Sequence, residues 1–171
     1  MRARWRRRFS VAAAALALVG CAGPRGVLED GVFRAPKLFR VTVPGAEWTV
    51  ARANESKLEL RHPATRAGIL ANAECGVEPA RQELAVLVRR LFVGLRARDT
   101  LDNGVATLGG SPAVHAVMEA EVTGEAERMR VEAYVTKDER CVYDLVYVAP
   151  AAAFAERHGD FQRFVESFVR E

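Results

Sequence analysis

The chain has 171 residues and a mass of 18.8 kDa, enough for one domain of ordinary size with little room for a second. Hydrophobic residues make up 50% and charged residues 27%, a globular composition that excludes a disordered or fibrous chain. The formal net charge of +3 is concentrated at the start, where Arg2, Arg4, Arg6, Arg7 and Arg8 lie among residues 1–20 without a single acid. Residues 21–171 hold 20 basic against 22 acidic residues, so no basic nucleic-acid-binding surface is supported.

Residues 1–8 form a positive n-region, and Phe9 to Gly20 form a short apolar run. A membrane-spanning helix needs about 20 apolar residues, so this pattern reads as a secretory signal and not as a transmembrane anchor. It ends in Leu18-Val19-Gly20-Cys21, followed by Ala22 and Gly23. That string resembles the lipobox of bacterial lipoproteins, in which a small residue precedes the cysteine that becomes the mature N-terminus. The resemblance implies removal of residues 1–20 and lipidation of Cys21 by a diacylglyceryl thioether and an N-acyl chain such as palmitate. Two or more acyl chains hold a protein stably on a membrane, whereas one does not. Ala22 is not the aspartate that retains enterobacterial lipoproteins at the inner membrane, so the expected location is the outer membrane, facing the periplasm. Residues 22–31 (AGPRGVLEDG) are rich in Gly, Pro and charge and read as a flexible tether. Ten such residues span about 18 Å on average.

From residue 32 the hydrophobic period is two. Phe39, Val41 and Val43 alternate with Leu38, Arg40 and Thr42, and Pro44-Gly45 ends the run. Trp48 and Val50 follow, then Leu58 and Leu60 in KLELRH, then Ile69, Ala71, Ala73 and Cys75 on one face of AGILANAEC. The period then changes. Pro79 suits a first helical position, and Leu84, Leu87, Val88, Leu91 and Leu95 form one stripe of a long helix. Arg81, Arg89, Arg90, Arg96 and Arg98 make its solvated side, as neither aromatics nor glycine-rich turns accompany them. Residues 112–149 read as a three-stranded meander. Val114, Ala116, Met118, Ala120 and Val122 share one face of its first strand, and Met129, Val131, Ala133 and Val135 one face of its second. A two-residue loop at Gly124-Glu125 would set Glu121 against Arg128, Glu119 against Arg130 and Met118 against Val131. The third strand is CVYDLVYVA. Two short helices close the chain, the first opened by Pro150 and ended by Gly159, the second capped by Asp160 and carrying Phe161, Phe164, Val165, Phe168 and Val169.

This order of elements is an α+β class, an antiparallel sheet with helices packed on its faces. The run from Phe39 to Gly45 followed by Trp48 resembles the opening of the photosystem II extrinsic protein (PsbP-like) fold. Tyr143-Asp144-Leu145 with Tyr147, then Phe154, Phe161, Phe164, Ser167 and Phe168, resemble its closing strand and helix. The likeness covers residues 32–171 as one PsbP-like domain behind the signal (1–20) and the lipidated cysteine and tether (21–31). It implies an accessory or scaffolding role, and fold alone does not carry function.

No catalytic, cofactor-binding or metal-ligating constellation emerges from the residues. His62, His115 and His158 form no HExxH, HxH or Cys/His motif. His115 and Glu119 share a strand face but stand about 13 Å apart, too far to share a metal, so His115 reads as the cross-strand partner of Tyr134. Ser111 in GGSPA lacks the frame of a nucleophile elbow, and Gly109-Gly110 has no Lys-Ser/Thr to make a phosphate loop. Tyr134, Tyr143 and Tyr147 read as strand packing or as the lining of a pocket. Cys75 with a histidine is a conceivable thiol nucleophile. Lipidation of Cys21 leaves Cys75 and Cys141 as an even pair in an oxidising compartment, which favours a disulfide over two separate thiols. The bridge requires Cα atoms about 4.4–6.8 Å apart. The expected function is a non-enzymatic, membrane-anchored envelope lipoprotein that binds or scaffolds another envelope protein. The alternatives are a small-ligand carrier with a pocket between helix and sheet, and an enzyme of unrecognised type.

Overall fold

The computed structural model describes residues 26–171. Cys21 and the segment read as an export signal lie outside the described residues. The chain runs through β1 (Val27–Glu29), β2 (Val32–Ala35), β3 (Phe39–Thr42), β4 (Thr49–Ala53), β5 (Lys57–His62), β6 (Ala67–Cys75), α1 (Val77–Arg81) and α2 (Leu84–Leu91). It continues through β7 (Arg96–Leu108), β8 (Ser111–Glu121), β9 (Met129–Lys137), β10 (Cys141–Pro150), α3 (Phe154–Glu166) and β11 (Val169–Arg170). Seven strands form one antiparallel sheet in the order β4-β5-β6-β10-β9-β8-β7, and β1-β2-β3-β11 form a second, smaller one. The α+β class expected from the sequence is the observed one.

The large sheet is covered on both faces, unequally. On one face α3 and the small sheet enclose the main core, in which Phe33, Phe39, Tyr143, Tyr147, Phe161, Phe164 and Phe168 are buried. Ala71, Ala73, Ala113 and Ala149 lie in the same cluster. These short side chains leave room for the rings to approach the sheet, where Tyr147 stacks on Phe161 at 5.5 Å. On the other face Leu87 and Val88 of α2 and Phe92 at its C-terminal cap pack against Ala116, Val131, Ala133, Val135 and Val142 of β8, β9 and β10. β10 is buried along nearly its whole length because it lies at the centre and is covered on both sides.

Four expectations are corrected here. The long helix is two helices followed by a strand. Gln82 and Glu83 are extended, with ψ of 151° and 146°, and Lys137 Nζ donates to Ala80 O at 2.8 Å and Gln82 O at 2.5 Å. A cation at a helix C-terminus satisfies the carbonyls that the ended helix leaves unpaired. Leu95 still packs on the α2 core, but as a loop residue, and Arg96 and Arg98 belong to β7, which widens the meander to four strands. The two closing helices are one: α3 runs through Gly159, Pro150 ends β10, and Asp160 accepts from Trp48 Nε1 at 2.9 Å and from Arg163. The stretch read as tether contains β1, whose Val27–Glu29 pair with Val32–Arg34.

The fourth correction concerns the β8–β9 hairpin. Met118 stands opposite Val131 and Glu119 opposite Arg130, as expected, with Glu119 Oε2 accepting from Arg130 at 3.0 Å. The loop, however, covers residues 122–128, and Arg128 turns to Glu119 (3.0 Å) and Asp99 (2.6 Å), away from Glu121. β7 supplies the reason, because Asp99 is a second carboxylate within reach and Glu121 pairs in register with Arg96. Gly109-Gly110 is the turn joining β7 to β8. Both residues have positive φ (55° and 76°), as a two-residue hairpin turn of the primed type demands, and a Cβ on Gly109 would sit 2.9 Å from the Phe168 ring.

Candidate functional site

Two arrangements carry polar groups that the fold does not need for its topology. The first lies at the side of α3, where its side chains meet those of β8 and β9. Glu132, on β9, points toward α3 and is 2% exposed. Its Oε1 receives His115 Nε2 at 3.0 Å and Gln162 Nε2 at 3.0 Å, and its Oε2 receives His158 Nε2 at 2.7 Å. His158 and Gln162 lie one turn apart on the same side of α3. His115 Nδ1 faces Asp102 of β7 at 3.2 Å, and its ring lies 4.5 Å from that of Tyr134, its register partner. The Glu132 carboxylate thereby ties β9 to β8 and α3, and Asp102 adds β7 through the other nitrogen of His115.

Charge and hydrogen bonding couple His115 to Glu132 in this cluster. The hydrogen bond to Glu132 raises the pKa of His115, aided by the charges of Glu132 and Asp102 and opposed by burial. Burial pushes Glu132 upward, but the hydrogen bond from His115 and the two histidine charges outweigh it and hold the carboxyl below its ordinary value. With both ring nitrogens of His115 facing carboxylates, the imidazolium form is the matched one. Both oxygens of Glu132 are engaged, and no serine, threonine or cysteine is hydrogen-bonded to either cluster histidine among the described residues. Among the described residues no group of three or more His, Cys, Asp or Glu has the geometry to hold a metal ion. The cluster is suited to clamping secondary structure in a pH-dependent way.

The second arrangement is the half of the large sheet that α2 leaves open. Leu70, Val146 and Val148, with Glu59, Arg61 and Gly68, line a cavity of about 210 Å³ on this face. Beside it, between α2 and the sheet, Leu87, Arg90, Leu91, Glu74, Val135, Val142 and Asp144 line a second cavity of about 200 Å³. Asp144 is the one acid in the run CVYDLVYVA of the central strand. Burial raises its pKa to about 6, partly offset by the hydrogen bond from Asn72.

The remaining sequence candidates serve the fold. Cys75 and Cys141 are register partners in β6 and β10 with sulfurs 2.03 Å apart. Their Cα atoms are 4.0 Å apart, just below the expected window. Gly76 N donates to Arg140 O, which makes the cysteines the close, non-hydrogen-bonded kind of antiparallel pair. His62 is buried against Trp48 and receives Thr65 at Nδ1. Ser111 Oγ accepts from Arg170. Tyr143 and Tyr147 are core residues whose hydroxyls donate to Asp138 and to Phe154 O, both at 2.9 Å. Lipidation at Cys21 falls outside the described residues. Sequence reasoning missed Glu132, His158, Gln162 and Asp102 as a unit. The i, i+4 spacing of His158 and Gln162 was the available signal.

An antiparallel sheet carrying aromatic-rich α3 and a short closing sheet on one face, and a shorter helix on the other, defines a PsbP-like fold. The solution structure of cyanobacterial PsbP (CyanoP) from Synechocystis sp. PCC 6803 matches at a TM-score of 0.59 and 10% identity, over 92% of this chain and 100% of that one. LpqN of Mycobacterium tuberculosis, a protein involved in cell envelope biogenesis, matches at 0.56 and 16% identity over 78% and 84%. A protein from Bacteroides thetaiotaomicron matches at 0.55 and 8% identity over 78% of this chain, which spans only 45% of that protein's length. No family model matches the sequence, and no curated protein matches it. At these identities the likeness establishes the fold alone.

Proposed function

We propose that the chain is a lipid-anchored envelope protein whose domain is a non-enzymatic binding or scaffolding module for another envelope component, attached through Cys21 to the outer membrane and facing the periplasm. The observation that carries this reading is the open half of the large sheet, an apolar strip of Leu70, Val146 and Val148 with charges at its rim. The LVGC string behind a basic n-region and the fold shared with a cell-envelope biogenesis protein support it. Two measurements test it. Intact-mass analysis of membrane-extracted protein finds residues 1–20 lost and a lipid adduct on Cys21, and Cys21→Ser abolishes the adduct. Native pull-down of the lipidated chain in mild detergent recovers a partner that Leu70→Asp loses while the domain stays folded. An unlipidated wild type beginning downstream of Cys21 overturns the anchor, and a partner retained equally by Leu70→Asp overturns the surface.

A second reading, a carrier of a small ligand held between helix and sheet, is favoured by the cavity under α2.

A further inference from the structure

The cavity under α2 has an apolar wall and one charged end. Leu87 and Leu91 of α2 face Val135 and Val142 of the sheet. Asp144 lines the same space from the central strand and is 6% exposed. Its Oδ1 accepts from Asn72 Nδ2 at 3.2 Å, while Oδ2 has no hydrogen-bond partner among the described residues. The charged groups facing it are Lys57 from β5, Glu74 from β6 and Arg90 from α2. Neither cation pairs with it. Lys57 Nζ lies 3.9 Å from Glu59, and Arg90 donates to Gln82 at 3.3 Å. The fold does not use this carboxylate for topology, since its neighbours on the same face of β10 are Val142 and Val146. A buried carboxylate with a free oxygen open to a cavity is matched by a donor that brings its own positive charge.

We propose that the cavity binds a small organic cation, a protonated amine whose ammonium group is held by Asp144 and Glu74 and whose hydrocarbon part lies on Leu87, Leu91, Val135 and Val142. An ammonium offers three donors, enough for the free oxygen of Asp144 and for Glu74 at the mouth. A neutral alcohol supplies a donor without the charge. A divalent cation requires more carboxylate or histidine ligands than this space provides among the described residues. The assignment rests on the carrier reading and names its ligand class. It also sets a pH dependence, because binding requires the ionised carboxyl and weakens as pH falls below about 6.

The test uses the full oxidised chain with hexylammonium and hexanol as probes, followed by calorimetry and by methyl NMR of leucine and valine. Hexylammonium shifts the methyls of Leu87, Val135 and Val142 saturably at pH 8, and hexanol binds at least tenfold more weakly. Asp144→Asn removes at least tenfold of the hexylammonium affinity and makes the two probes equal. Glu74→Gln, on an exposed residue, lowers the affinity severalfold and serves as an independent check on the charged end of the cavity. Equal binding of the two probes to the wild type, or affinity unchanged in both variants, overturns the amine assignment and leaves the carrier reading. If neither probe reaches these methyls, the carrier reading itself fails.

Discussion

Replacing Asp144 by Asn should stabilise the protein above pH 6 and leave it nearly unchanged near pH 4. Asp144 has a pKa near 6 in the fold against 3.8 as its ordinary value, because burial on the central strand disfavours the charged form. A folded-state value above the unfolded one means that the native state binds more protons across that interval. Stability therefore falls as pH rises from about 4 to about 6 and stays at the lower level beyond it. Each pKa unit corresponds to about 1.4 kcal/mol, so the ionised carboxylate costs about 3 kcal/mol at pH 8. Asparagine keeps an oxygen to accept from Asn72 and carries no charge, so Asp144→Asn should recover most of that amount. In a domain of this size that is roughly 6–12 °C in Tm. The assay is thermal and urea unfolding of wild type and variant from pH 4 to pH 8, with the disulfide intact. A variant no more stable than wild type at pH 8, or an offset that does not change with pH, would refute the reasoning.

Further outcomes follow from the other features. Glu132→Ala leaves three donors without their acceptor and should cost about 2–4 kcal/mol, read by urea unfolding near pH 6. His115, raised, contributes stability that is complete below its ordinary pKa and is lost as pH climbs through the raised one. Glu132, lowered, contributes stability that is lost as pH falls through its folded value, so the deficit of the variant narrows on both sides of that window. Replacing Cys75 and Cys141 together by alanine opens a cross-link spanning 66 positions and should cost about 4 kcal/mol in the chain-entropy account, while mass analysis after alkylation finds neither thiol free in the wild type. Gly109→Ala places a Cβ against Phe168 at a positive φ and should cost about 1–3 kcal/mol by thermal melting.

The sequence was most legible where a strand buries one face and wets the other. β5 and β6 show their alternation openly, with Leu58 and Leu60 buried beside exposed or half-buried Glu59 and Arg61, and the β8–β9 register followed from two faces that had to agree. β7 was invisible for the converse reason. RARDTLDNGVATL is an edge strand, exposed almost throughout and interrupted by two register shifts, so no core-facing period marks it. Gly159 read as a helix end because glycine disfavours helices intrinsically, yet the buried Phe154, Phe161, Phe164 and Val165 on either side of it hold α3 in one piece. The Glu132 cluster was missed because polar alternation on β9 reads as a solvated face. α3 covers that face, and only tertiary structure brings His158 and Gln162 to it.

β1 has a mechanical consequence. Among the described residues it is the outer strand of the small sheet, three residues long, exposed along its length and paired only with β2. Force entering from the N-terminal side meets this strand first and unzips it pair by pair, while β2, β3 and the aromatic core behind them stay seated. Peeling residues 26–31 adds about 20 Å of reach at full extension. The fold thus carries a short extensible segment ahead of β2, which should yield under load before the body does.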